Sequence, residues 1–231
     1  LGSTMLVPVL GTEAAAQTAS RADRAFESLI RRWIDRSMRY SPISATTIGD
    51  HRFDNRIDDV SAAGRNAALR FAHDTLRQLN AIEAAQLSRA NQVDALILAN
   101  ALNAQIWQTE TLQNWAWNPL GYQSLAGGAL YGLMAREFAP MPQRLESATS
   151  RLELLPDLFR KTRAELVPAR VPTPHAETYA AQNRGLKSIV TDMIEPHKGE
   201  LNDRKRARLE AAITRFNAAV GVDGFKTGQF G

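Results

Sequence analysis

Apolar side chains recur along most of this chain at three- and four-residue intervals, the spacing that lines one face of an α-helix. Phe26, Leu29, Ile30, Trp33, Ile34 and Met38 form one such stripe, with Arg31, Arg32, Asp35 and Arg36 on the other side. The pattern predicts an amphipathic helix of about five turns, stopped near Tyr40-Ser41-Pro42 because proline disfavours helix in the residue before it. A second helix is expected from Ser61, a residue type that caps helix N-termini, with Ala68, Leu69, Ala72, Leu76 and Leu79 as its buried face. A third is expected over residues 88–113. Its buried stripe reads as Val93, Leu96, Ile97, Asn100, Ala101, Ala104 and Trp107. Leu98 and Leu102 fall off that stripe, which implies cover on more than one side.

The stretch NWAWNPLGYQSLAGGAL interrupts this rhythm. Trp115, Trp117 and Tyr122 are punctuated there by Pro119 and several glycines, a pattern that predicts a packed loop followed by a helix. Helical spacing resumes through Leu145, Ala148, Leu152 and Leu155 and is expected to end at Pro156. A short helix and a proline-rich connector follow in LFRKTRAELVPARVPTP. Thr173, with Pro174 behind it, reads as the cap of a helix reaching toward Ile194, and a basic helix covers about residues 202–219. No segment alternates apolar and polar residues long enough for a strand, and no repeat of fixed period is present. The expected fold class is all-α, a multi-helix array.

Composition adds boundaries. The 231 residues are 44% hydrophobic and 23% charged, an ordinary globular balance. The 28 basic and 24 acidic residues are interleaved, which argues against a nucleic-acid partner, since that needs basic residues gathered on one face. The chain has no cysteine, so disulfides, thiolate metal ligands and thiol nucleophiles are excluded. Residues 1–22, with MLVPVLGTEAAAQTAS, read either as the remnant of a secretory leader or as a floppy alanine-rich N-terminus. The leader reading places the product outside the cytoplasm, periplasmic or secreted. The apolar run is too short to be a transmembrane segment. Residues 23–231 are then the folded part, and the glycine-rich GVDGFKTGQFG reads as a chain truncated at its C-terminus.

Candidate chemistry is sparse. ATTIGDHRFDNRIDD gathers Asp50, Asp54, Asp58 and Asp59 with His51, Arg52 and Arg56. As a calcium loop starting at Asp50 it fails, because Arg52 and Asn55 occupy positions that need a carboxylate and a glycine. As a zinc site it has one histidine and carboxylates neutralised by arginines. It reads as a salt-bridged interhelical loop, with Asp58 and Asp59 near a helix N-terminus where negative charge is favourable. His51, His73, His175 and His197 contain no i, i+4 pair, and no H-E-x-x-H, nucleophile elbow, phosphate loop or dinucleotide fingerprint occurs. NDRKRARLEAAITRF, interrupted by Asp203 and Glu210 and without aromatic platforms, reads as a solvated helix face. The aromatic stretch reads either as a core plug or as the lining of a cleft in which Trp117, Asn118 and Tyr122 offer stacking surface and polar handles.

Four stretches, SPISATTIGDHRFDNRIDDVS, WAWNPLGYQSL, REFAPMPQRLESATSRLELLPDLF and PTPHAETYAAQNRGL, occur in this order and spacing. Together, over roughly residues 23–200, they resemble the N-terminal half of the bacterial family called domain of unknown function 885. The resemblance implies an all-helical, zinc metallopeptidase-like fold of which this chain is the N-terminal part. Its expected zinc motif, H-E-x-x-P-G-H-H, belongs to the C-terminal half and is absent here. No catalytic or metal residue carries over, and no cofactor is assigned to this chain, although zinc is expected for a full-length parent. The implied partners are the missing C-terminal half and a peptide substrate. Trp117, Asn118, Tyr122 and Arg136 are the candidates for the cleft, with Asn118 and Arg136 holding peptide backbone or carboxylate. The rival reading is a periplasmic helical binding protein whose ligand pocket is the aromatic stretch.

Overall fold

The computed structural model describes residues 20–221. The leader reading therefore falls outside the described residues, apart from residues 20–22, and so does the tail beyond Gly221. The fold is all-α, built from α1 (Arg21–Tyr40), α2 (Pro42–Ile48), α3 (Ala62–Asn80), α4 (Arg89–Trp107), α5 (Asn114–Trp117), α6 (Pro119–Met134), α7 (Met141–Glu165), α8 (Thr173–Ile189) and α9 (Asp203–Gly221). Short 3-10 and π-helical turns join them, and no strand occurs among the described residues.

Local signals set most boundaries. Ser20 and Asp23 form a reciprocal capping box at the start of α1. The Asp23 carboxylate also accepts hydrogen bonds from Ser88 N and Asn91 Nδ2, at 2.8 and 2.7 Å, so one side chain ties the N-termini of α1 and α4 together. These donors hold its carboxyl well below the usual carboxylate range. Ser61 and Ser88 cap α3 and α4. α2 lies in the stretch read from sequence as loop. Its signal was Pro42 at the first helical position and Gly49 just past the end, where φ is +94°.

Two apolar cores result. The larger joins α2, α6, α7, α8 and α9 through Ile43, Leu130, Leu133, Leu145, Leu152, Leu155, Leu186, Leu209 and Phe216. The smaller joins α1, α3 and α4 through Phe26, Leu29, Ala72, Leu79, Leu98 and Leu102. α7 does not stop at Pro156 but runs through it to Glu165. Leu152 and Leu155 before the proline, and Leu158, Phe159 and Thr162 after it, are all buried. Burial on both sides of the break outweighs the roughly 3 kcal/mol that an interior proline costs a helix.

The α4 stripe is inverted relative to expectation. Leu98 and Leu102 are 2% and 1% exposed, whereas Val93, Leu96, Ile97 and Trp107 are 40%, 69%, 63% and 52% exposed. The helix is apolar on two faces, and the α1–α3 layer takes the one bearing Leu98 and Leu102. Periodicity cannot choose between two apolar faces of one helix.

Candidate functional site

After Trp107 the helix loosens into a π-helical turn, Gln108–Leu112, and Gln113 then takes a left-handed conformation with φ +53°. Both features are uncommon for non-glycine sequence and concentrate at functional sites. α5 is a single turn, and Asn118 caps α6 by accepting Leu120 N–H at 3.1 Å, with Pro119 at the first helical position. The two indoles are anchored backward into the π turn. Trp115 Nε1 donates to Thr109 O at 3.1 Å and Trp117 Nε1 to Leu112 O at 2.9 Å. Tyr122 is buried and its hydroxyl donates to Trp115 O at 2.8 Å.

Distant segments close this aromatic corner. The Arg65 guanidinium lies 3.8 Å from the Trp115 ring centroid and pairs with Glu165 at 2.6 Å. Glu165 also accepts Ala62 N–H at 2.8 Å, at the start of α3. Burial, with the Glu165 charge adding to it, pushes the Tyr122 hydroxyl up to about 12. His175, in the first turn of α8, stacks on Trp117 with ring centroids 5.6 Å apart and planes 20° apart. Its Nδ1 is buried and takes no hydrogen bond. Leu166, Val171 and Ala176 back the corner with a small apolar cluster.

The structure therefore brings Trp117, Asn118 and Tyr122 together and leaves Arg136 apart. Arg136 follows the far end of α6, a helix ~24 Å long at 1.5 Å per residue. It is exposed and donates to Thr47 O at 2.6 Å, at the C-terminal end of α2. Asn118 is committed to its cap. His175, Arg65 and Glu165 are the residues that sequence reasoning missed. His175 stands beside the proline connector as a lone histidine. Arg65 and Glu165 are 100 residues apart, with no local pattern to link them.

The aspartate-rich stretch 45–59 is organised by Arg151 of α7, which has no exposed surface. Its guanidinium donates to Arg56 O and Ala129 O at 2.9 Å, to Pro42 O at 3.2 Å and to Thr46 Oγ1 at 2.6 Å. Asp54 lies 3.9 Å away, accepts the Thr46 hydroxyl at 2.6 Å and meets His51 Nδ1 at 2.9 Å. Asp58 accepts Ile43 N–H at the start of α2, and Asp59 binds Lys161 and the backbone of Ser61 beside α3. This is a loop folded over a buried cation.

The histidines do not converge. His51 stacks on Phe138, His73 meets Glu110, and His197 meets Glu200. Among the described residues no three His, Asp or Glu side chains come together as metal donors, so these side chains do not fit a zinc ion. The basic run of α9 is paired to α7 through Lys205 to Glu146 and Arg208 and Arg215 to Glu153, and within itself through Arg206 to Asp203. Among the described residues no helix is long and apolar enough to cross a membrane.

A family model described as "Bacterial protein of unknown function (DUF885)" matches residues 42–222. A solved structure described as "a putative lipoprotein of unknown function from Shewanella oneidensis" is similar to this chain, with a TM-score of 0.76 and 25% identity. The similarity covers 84% of this chain and 36% of that one, so the chain spans well under half the length of its structural relative. No curated protein matches it.

Proposed function

The chain belongs to the bacterial DUF885 family, and on that premise we propose that it is the N-terminal helical portion of an extracytoplasmic, zinc-dependent peptidase-like hydrolase. In this reading the metal groups lie in sequence outside the chain, and no catalytic step is assigned to its own residues. The chain contributes one wall of the peptide channel. The observation that carries the reading is the His175 Nδ1 atom, buried without a partner against Trp117. A buried polar atom left unpaired is costly, and a stacked ring pair with a spare polar atom suits a peptide bond and its side chain. The left-handed Gln113 and the π turn fix both indoles in place, so the wall is preorganised. Placement outside the cytoplasm is supported by the description of the Shewanella relative as a lipoprotein.

The test is steady-state hydrolysis of a peptide library by the complete gene product. Trp117→Ala is expected to raise KM about tenfold, a loss near 1.4 kcal/mol, with kcat changed far less. His175→Phe keeps the stack, removes the nitrogen, and is expected to raise KM in the same direction. Unchanged KM in both folded variants would contradict the wall assignment. Binding of peptide without hydrolysis would favour the periplasmic binding-protein reading of the same corner.

A further inference from the structure

α4 carries two charged residues, Arg89 and Asp94, in nineteen. A helix apolar on both sides is one buried on both sides, and depletion of charge marks the centre of an interface. The inner side is closed by Leu98 and Leu102. The outer side presents Val93, Leu96, Ile97 and Trp107 at i, i+3, i+4 and i+14, each 40% exposed or more. Beside it lies a groove of about 510 Å³, floored by Leu79, Ile82, Leu87, Ala95 and Ala99 and sharing Leu96 with the exposed stripe. Exposed Ala101 and Ala104 continue the stripe past Asn100 toward Trp107, and an exposed apolar face beside an apolar groove is the kind of surface that marks a docking site.

We infer that this outer face is an intramolecular docking surface for an apolar helical segment of the same gene product, lying outside the span of the present chain. The inference rests on the reading under Proposed function. The fold of this chain accounts for 84% of itself but only 36% of the Shewanella chain. Most of that relative's length therefore lies outside the helices shared with this chain, which leaves ample sequence to supply a docked segment. The face also ends where the candidate site begins: Trp107 is the last residue of α4, and the next residue opens the π turn that anchors Trp115 and Trp117. A segment docked along α4 would reach the rim of the aromatic corner.

The 231 residues contain no cysteine, so a thiol introduced among them is labelled alone there, and in the complete product its labelling is read at that position by peptide mapping. Leu96→Cys is made in the 231-residue chain and in the complete gene product, with Arg31→Cys, on an outward position of α1, as control. The rate of reaction with a maleimide is measured in both. Protection of Leu96→Cys by roughly tenfold or more in the complete product alone, with the control unchanged, is the expected result. Equal rates in the two forms overturn the inference. So does slow labelling in the 231-residue chain itself, whether relieved by dilution, which would put a second copy on the face, or not, which would put the chain's own residues there. Peptide hydrolysis without protection removes this inference and leaves the peptidase reading. Protection without hydrolysis does the reverse. A gene product ending at residue 231 removes both.

Discussion

Arg151 sits inside the larger core, yet its guanidinium meets four backbone carbonyls and the Thr46 hydroxyl, with Asp54 and Asp58 supplying negative charge. Burial pulls it down to about 10, with the two carboxylates acting against that shift. Removing a buried charge that is satisfied in this way leaves its partners unpaired. Arg151→Met is therefore expected to lower unfolding free energy by about 3–5 kcal/mol in urea titrations. Arg151→Lys should recover little, because an ammonium cannot reproduce the planar fork. Asp58 shows the opposite sign of linkage. Burial raises its carboxyl to about 6 from an ordinary 3.8, against the Ile43 hydrogen bond and the Arg151 charge. Its contribution is thus fully favourable below pH ~3.8 and is lost as pH rises through 6. Asp58→Asn should gain on the wild type by about 1–3 kcal/mol between pH 4.5 and 7.5; a constant difference across that range would contradict the assignment. Nothing in the local sequence around Arg151 distinguishes it from the solvated arginines of other helices. Its partners lie 22 to 109 residues away in sequence.

At the scale of elements, periodicity was a sound guide where a helix has one apolar face. α1 buries Phe26 and Leu29 as its stripe predicts, although Ile34 of the same stripe stays exposed, and Ser61 caps where expected. It failed where a helix has two, as in α4, because burial then depends on which neighbour is present. It also failed where a local rule met strong packing. Pro156 breaks the hydrogen bond to Leu152 O, yet α7 continues because both halves are anchored in one core. Pro156→Ala is expected to stabilise the protein by about 1–3 kcal/mol, read as a higher urea midpoint with unchanged slope. A lower midpoint would show that the proline relieves strain in the helix. The aromatic corner was half legible. Trp117, Asn118 and Tyr122 could be picked out because tryptophan, proline and glycine cluster there. The α8 histidine and the Arg65–Glu165 pair could not, since only the tertiary fold brings them in.

At the scale of the whole molecule, the all-α class, the order of helices and the family could be read from the chain. What could not be read is which surfaces are outer walls and which are interfaces. The structure narrows this: one core is closed around Arg151, the other leaves an apolar face on α4, and the aromatic corner lies at the end of that face. The described residues hold an aromatic corner anchored by hydrogen bonds to the π turn, and the relative's chain is far longer than the part shared here. The central claim proposed above is that this corner is a channel wall working with metal-binding groups supplied from elsewhere in the same gene product. The most direct measurement is metal analysis of the complete product and of the 231-residue chain, each purified and dialysed without chelator. The account expects one tightly bound zinc per molecule of the complete product and none retained by the chain alone. Stoichiometric zinc in the 231-residue chain, or none in the complete product, would contradict it.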